Sequence, residues 1–141
     1  LRENIMTYQT QAQQFLADIF TGKLPEALVA CAEDVVFIST RPEPSEQVRA
    51  YGRYSGHAGA IDFFQAFGEM LEPGEFEIYD TIAQGQHVMM YGRLKHIARA
   101  TGRPFASDWA LVMKFDEAGK LALYHFYEDP AALEWALGVN E

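Results

Sequence analysis

The segment "DWALVMKFDEAGKLALYHFYEDP", residues 108–130, decides the fold of this chain. It predicts two strands joined by the short, glycine-bearing turn "DEAG", as an antiparallel hairpin requires. Outside the turn nearly every position is apolar, so neither face of the hairpin has the composition of a solvent-exposed surface. We therefore expect this hairpin to lie inside a sheet that is covered on both faces.

Further strands precede this hairpin along the chain. Alternating apolar residues and the glycine turns "QGQ" and "TGR" predict a meander of four strands at residues 75–83, 87–100, 104–115 and 120–128. The run "DVVFIS" predicts an earlier buried strand at residues 34–39. The intervening text, residues 40–54, has two prolines and no period, so we expect an irregular segment that is either a lid or mobile.

Helices are predicted where apolar residues recur at intervals of three and four. One stripe covers residues 5–20, and Gly22 suits a left-handed end to that helix. A short helix follows at residues 25–32, a second long helix runs from residue 57 until Pro73 and Gly74, and Asp129 caps a last one at residues 130–137.

Helices followed by an antiparallel sheet indicate an α+β domain spanning residues 1–141, with the helices on one face of a curved sheet. Alternation along each strand assigns side chains to the two faces. The face opposite the helices is then apolar and should be covered by a second copy of the chain in a homodimer. That outer set comprises Ile97, Ala110, Val112, Leu121, Leu123 and Tyr127.

Composition excludes several classes of protein. A formal net charge of −9 argues against nucleic-acid and anionic-membrane partners. The lone Cys31 fits a reducing compartment, and the absence of a long apolar run or signal peptide favours a cytoplasmic protein. There is no HxH, HExxH or cysteine pair and no glycine-rich phosphate loop, so we expect neither a metal nor another cofactor.

The chain resembles the SnoaL-like polyketide cyclases and ketosteroid isomerase-like proteins of the nuclear transport factor 2-like superfamily. The resemblance rests on "AEDVVFIS", "YGRYSGHAGAIDFF" and "TGRPFASDWALVMKFDEAGKLALYHFYEDPAAL" and covers essentially the whole chain. It implies a cone-shaped, cystatin-like roll in which a strongly bent sheet wraps the helices around an apolar pocket. It also implies dimers that form through the outer sheet face.

The catalytic residues of two known activities in this family are not matched. The isomerase's general-base aspartate would fall at Ser39, its oxyanion tyrosine at Phe15 and its protonated aspartate at Leu111. A hydroxyl cannot replace a carboxylate that shuttles protons near neutral pH. An epoxide-hydrolase set could use Arg93, but its carboxylate positions hold Lys95 and Phe126, so both activities are disfavoured.

The remaining candidate for chemistry is His96, which alternation places inside the pocket. It could act as general acid or base with Ser39, Tyr54 or Glu128, in isomerase, cyclase or dehydratase chemistry on a small hydrophobic molecule. His96 could equally be a buried side chain bonded to a backbone carbonyl or to Ser39, in a non-catalytic binding or protein-interaction module. The predicted ligand-contacting residues are Phe37, Phe64, Leu94, Trp109, Leu111, Tyr124 and Phe126.

Overall fold

A computed structural model describes residues 7–140, which form four helices and six strands. The helices are α1 (Tyr8–Phe20), α2 (Leu24–Val29), α3 (Gly56–Met70) and α4 (Pro130–Leu137). The strands are β1 (Cys31–Ser39), β2 (Arg53–Ser55), β3 (Leu71–Gln84), β4 (His87–Ala98), β5 (Pro104–Phe115) and β6 (Leu121–Glu128). Ile5, the first apolar residue of the predicted first helix, lies outside the described range.

The six strands form one open sheet in the order β2-β1-β6-β5-β4-β3. Every neighbouring pair is antiparallel except β1 and β6, which run parallel. The predicted meander of β3 to β6 is confirmed, and the helices pack within the bent sheet as an α+β cone of the expected kind. The parallel pairing of β1 was not predicted, because β1 reads in the sequence only as a buried strand without a partner.

Local signals set the helix ends. The Thr7 side chain accepts a hydrogen bond from the Thr10 N–H at the start of α1, and Gly22 follows its end with φ +76°. Asp129 caps α4 by accepting from the Ala131 and Ala132 N–H groups, as predicted. These caps satisfy backbone groups of α1 and α4 that have no partner inside the helix.

Three predicted boundaries are wrong. The short helix α2 ends at Val29 rather than near residue 32, because the chain already pairs with β6 from Cys31 onward. The segment predicted to be irregular, residues 40–54, ends in the first two residues of β2, which pairs with β1. β3 begins at Leu71, directly after α3, so Pro73 and Gly74 lie inside a strand.

Leu121 is also assigned to the wrong face by strict alternation. The register between β5 and β6 slips between Lys114 and Phe115, where Phe115 pairs with Leu121 and Lys114 with Leu123. This irregularity adds one residue to β6 and turns Leu121 into the core, where it is fully buried. The other members of the predicted outer set stay out of the fully buried core.

The core lies between the helices and the inner face of the sheet and is rich in aromatic rings. Phe37 on β1 packs against Phe63, Phe64 and Tyr124 with ring centroids 5.0 to 5.4 Å apart. The opposite, outer face carries exposed apolar side chains, of which Tyr79 and Tyr91 pack edge to face at 5.8 Å. The sheet therefore has an inner face that is largely covered by the helices and an outer face that is partly apolar and exposed.

Candidate functional site

A cavity of about 270 Å³ lies between α1, α3 and the inner face of β3, β4 and β6. This volume is at the small end for ligand pockets. Its wall is mainly aromatic and aliphatic, with two ionisable side chains other than tyrosine, His96 and Glu128. The lining residues are Leu16, Ile19, Phe20, Phe63, Phe64, Phe67, Gly68, Leu71, Pro73, Phe76, Leu94, His96, Tyr124, Phe126 and Glu128.

Glu128 brings a carboxyl group to this wall from the end of β6. Its side chain is 8% exposed, and the Ser39 hydroxyl donates to Oε1 across a long 3.5 Å. Burial raises the pKa of Glu128 to about 8, and the hydrogen bond from Ser39 offsets only part of that rise. Near neutral pH the carboxyl group therefore holds a proton that it can release within the physiological range.

His96 is held by an irregularity in the neighbouring strand β3. Between Glu72 and Glu75 the register shifts by one residue relative to β4, because two residues of β3, Pro73 and Gly74, stand opposite His96 alone. The Gly74 N–H, freed from the ladder, donates to His96 Nδ1 at 2.9 Å. Because Nδ1 accepts, the neutral ring carries its proton on Nε2, so His96 can offer a ligand a hydrogen-bond donor.

Burial also lowers the pKa of His96, and the Lys95 carbonyl opposes only part of this effect. The ring is therefore neutral at neutral pH and is a weak proton carrier there. A cationic ring would in addition lose the hydrogen bond that Nδ1 accepts from Gly74. His96 is thus better suited to donating a hydrogen bond than to acting as a general base.

Tyr124 is the other polar side chain of the buried wall. Burial raises its pKa, and the nearby Glu128 raises it further, so the phenol stays protonated. No Lys or Arg is among the cavity residues within the described chain. The electrostatic character of the wall is therefore that of neutral donors around one carboxyl group, without a cation to stabilise an anionic ligand.

His96 and Glu128 are attached at different places on the cavity wall. On the intervening strand β5, His96 pairs with Phe105 and Glu128 pairs with Trp109. These positions are four residues apart, which corresponds to about 13 Å along a strand. The backbones of His96 and Glu128 are therefore well separated on the sheet, and Ser39 donates to Glu128.

The sequence-predicted site residues separate into three groups. The cavity wall includes Phe64, Leu94, Tyr124 and Phe126 together with His96 and Glu128. Phe37, Trp109 and Leu111 are buried behind that wall. Tyr54 lies elsewhere: its hydroxyl donates to the Arg49 carbonyl, and its ring borders a separate shallow depression beside Pro42 and Pro44.

Sequence reasoning missed the lining that α1, the end of α3 and the start of β3 contribute. α1 supplies Leu16, Ile19 and Phe20, of which Phe20 is 57% exposed and stands at the cavity mouth against Phe76 at 4.8 Å. The signal that could have found them is the width of the apolar stripes on both long helices, which exceeds what a narrow helix contact needs.

No group of three or more His, Cys, Asp or Glu side chains within residues 7–140 is arranged to hold a metal ion. No described helix has the length and apolar character needed to cross a membrane. Cys31 is a buried thiol whose pKa is raised to about 12 by burial, and it stands apart from the cavity.

Comparison with known proteins defines the family. The model of the SnoaL-like domain matches residues 12–124, so this chain belongs to the SnoaL-like domain family. No curated protein is a significant match. The predicted resemblance to the nuclear transport factor 2-like superfamily is thereby confirmed at the level of family and fold.

Solved structures show the same fold. An NTF2-like protein from Burkholderia xenovorans LB400 is 27% identical, with a TM-score of 0.79 over 90% of this chain and 92% of its own. TerC, co-crystallised with polyporic acid, is 18% identical with a TM-score of 0.79 over 94% and 99%. A Catenulispora acidiphila protein with a ketosteroid isomerase-like fold, in complex with trimethylamine, is 12% identical with a TM-score of 0.71 over 91% and 92%.

Proposed function

We propose that this protein binds a small, largely apolar molecule bearing a carbonyl or hydroxyl group and transfers a proton to or from it, with Glu128 as the proton carrier. The observation that carries the proposal is the buried Glu128 carboxyl group on the wall of an apolar cavity. A general acid or base works best when its pKa is near the operating pH, and a value of about 8 meets that condition.

Within this proposal Glu128 and His96 have different roles in the cavity. Glu128 gives its proton to a ligand oxygen, or as a carboxylate takes a proton from the carbon next to the ligand's carbonyl carbon. The C–H electron pair then forms the carbon–carbon double bond of an enolate, and the C=O electron pair moves to the oxygen. His96 Nε2–H binds a second polar group of the ligand and orients it, because it lies about four strand positions away. Isomerase, cyclase and dehydratase reactions all contain a step of this kind.

An uncharged ligand fits this cavity best. The wall has no cation to neutralise a phosphate or carboxylate, and the chain's formal net charge of −9 repels anions. The ring-lined wall favours a molecule with one or two rings.

A test that does not require the physiological substrate is hydrogen–deuterium exchange at the carbon next to a carbonyl. A panel of cyclic ketones and enones in D2O is first screened for binding by ligand-observed NMR, and exchange of the binders is followed by proton NMR. We expect the wild-type protein to accelerate exchange, with a rate that rises with pH through about 8 as Glu128 becomes the base.

The variants Glu128→Gln and Glu117→Gln distinguish loss of the proposed proton carrier from loss of one negative charge on the chain. Glu128→Gln should lower the exchange rate by about 100-fold or more, whereas Glu117→Gln, in the β5–β6 turn and exposed, should leave it unchanged. Compounds that bind to the wild type without any exchange above the buffer rate would contradict proton transfer and favour a non-catalytic binding module. Equal rates in wild type and Glu128→Gln would exclude Glu128 as the carrier.

A further inference from the structure

Trp109 has the one buried side-chain nitrogen or oxygen without a hydrogen-bond partner in residues 7–140, its indole Nε1. The residue is 3% exposed, so water does not substitute freely for the missing partner. Buried polar atoms in folded proteins are almost always partnered, and an exception calls for a physical reason. The surroundings of Trp109 supply one.

Trp109 and Glu128 are directly opposite each other in the pairing of β5 and β6, and both point to the inner face. Side chains in directly opposite positions have Cβ atoms about 5 Å apart. No hydrogen bond joins the two side chains in the structure, so a contact between the Glu128 carboxyl group and the indole N–H requires rotation about the side-chain torsions of Glu128. On its other side the carboxyl group accepts from Ser39, which approaches from β1.

The indole is the fixed member of this pair. It packs nearly parallel to the rings of Phe76 and Phe126, with centroids 4.6 and 5.3 Å away. Gly92 on β4 leaves the room for it, because a Cβ there would stand 3.0 Å from the indole carbon Cζ2. Ser107, the next inward residue on β5, already donates to the Asp108 carbonyl and accepts from the Asp129 N–H.

The cavity residues around Glu128 are neutral, whereas Tyr51 adjoins two charged groups: its hydroxyl donates to the Glu134 carboxylate on α4 at 3.0 Å, and the Arg41 guanidinium lies over its ring. Tyr51, from the segment before β2, and Tyr124, on β6, both feel the Glu128 charge, and burial raises the pKa of each phenol. His96 reaches the same cavity from β4 as a neutral ring, and α1 and α3 contribute no ionisable lining residue. An ionised Glu128 therefore depends on neutral hydrogen-bond donors for its stabilisation.

We propose that Trp109 is a positioning residue: its Nε1–H donates to the Glu128 carboxylate whenever Glu128 has given up its proton, while Ser39 donates on the other side. Among residues 7–140 of the structure the indole nitrogen has no partner and Ser39 alone donates to the carboxyl group, so the proposed contact requires the Glu128 side chain to turn toward Trp109. The inference rests on the proposed function only in naming Glu128 as the proton carrier, since the contact itself requires no ligand.

The contact is tested by following the indole N–H signals in two-dimensional proton–nitrogen NMR spectra from pH 5.5 to 9.5. The chain has two tryptophans and hence two such signals, which Trp109→Phe assigns. We expect the Trp109 signal to titrate with a midpoint near the pKa of Glu128, about 8, and the signal of the exposed Trp135 to stay constant. In Glu128→Gln both signals should be independent of pH.

A second measurement follows the effect of Trp109 on the pKa of Glu128. Trp109→Phe keeps an aromatic ring and removes the donor, so the pKa of Glu128, followed by carbon NMR of its carboxyl carbon, should rise by about one unit. Trp135→Phe should leave it unchanged. If Trp109→Phe does not fold, the comparison of wild type with Glu128→Gln decides alone.

Three results would overturn the proposal. The Trp109 signal could be independent of pH in the wild type, it could titrate equally in Glu128→Gln, or the Glu128 pKa could be the same in Trp109→Phe. A signal that moves only when a ketone binds would assign the indole to the ligand instead. Failure of deuterium exchange with a normal indole titration would refute the proposed function and leave this contact intact.

Discussion

At the scale of single residues, the most consequential feature is the burial of the Glu128 carboxyl group in the folded chain. In the unfolded chain this group ionises near its ordinary pKa of 4.5, whereas in the folded chain the pKa is raised to about 8. Between these pH values the folded state binds the proton and the unfolded state does not. Folding stability must therefore fall as the pH rises through this range.

The matching experiment is urea unfolding of wild type and Glu128→Gln at several values between pH 5 and 9. The amide cannot ionise, so the variant lacks this dependence. We expect the stability of Glu128→Gln relative to wild type to increase from pH 5 to pH 8 by an amount that a shift of this size limits to about 5 kcal/mol. All other titrating groups are common to both proteins, so parallel pH profiles would show that Glu128 is not buried as a neutral acid.

The sequence predicted which face of the sheet a side chain points to, but it did not predict which of the inward side chains line the cavity. Alternation along β4 and β6 placed His96 and Glu128 inside, where the structure has them on one cavity wall. The same rule placed Trp109 beside them, yet its indole is behind Phe126 and outside the lining. Alternation of side chains along a strand does not show which of two inward-pointing neighbours is nearer to the cavity, since that depends on the curvature of the strand.

At the scale of elements, β3 and β4 are fitted together by irregular pairing and by glycines at close approaches. Gly92 faces the Glu77 carbonyl so closely that a Cβ would come within 1.8 Å of it. Gly74 is in a similar position beside the Lys95 carbonyl, at 2.2 Å. These glycines are needed because backbone, which cannot rotate away as a side chain does, occupies the space.

Substitution of glycine by alanine should distinguish such positions from ordinary ones. Gly92→Ala forces β3 and β4 apart and presses on Trp109, so we expect a loss of about 2 to 4 kcal/mol in the free energy of unfolding. Gly68→Ala, in α3 with no atom near the added Cβ, should be neutral or stabilise by up to about 1 kcal/mol. Thermal unfolding of both variants measures the difference, and equal melting temperatures would contradict the close approach.

Element prediction worked where the sequence signal was local. The four strands of the meander have glycine turns between them, and the helices have caps and periodic stripes. β2 has three residues and no period of its own, so it could not be distinguished from the loop around it. The parallel partner of β1 depends on how the completed sheet closes, which no neighbouring residue encodes.

At the scale of the whole molecule, the outer face of the sheet combines exposed apolar side chains with an ion pair. Five exposed apolar side chains lie along β3, β4 and β6, and Arg93 and Asp108 form an ion pair at 3.2 Å on the same face. They are Tyr79, Ile82, Met89, Tyr91 and Tyr127. We propose that a second copy of the chain covers this face, because a self-complementary apolar surface with paired charges suits a two-fold interface.

Analytical ultracentrifugation at micromolar concentration tests this assembly. Wild type should sediment as a dimer, and Tyr91→Arg should sediment as a monomer, because it places an unpaired charge in the centre of the apolar face. Val29→Arg, at a 70% exposed position on α2, is the matched control and should remain a dimer. A dimer that survives Tyr91→Arg would place the interface elsewhere, and a monomeric wild type would leave the face to another partner.

The parallel pairing of β1 with β6 sets the order of events during synthesis on the ribosome. Val36 pairs with Leu123, 87 residues later in the chain, so β1 leaves the exit tunnel long before its central partner exists. Contacts between such distant segments form slowly, because a long loop must close first. Until β6 emerges, the strand that holds Val35 and Phe37 has only the short β2 beside it. The nascent chain thus passes through a period in which a chaperone can bind this strand, and a truncation that removes β6 leaves it permanently without its neighbour.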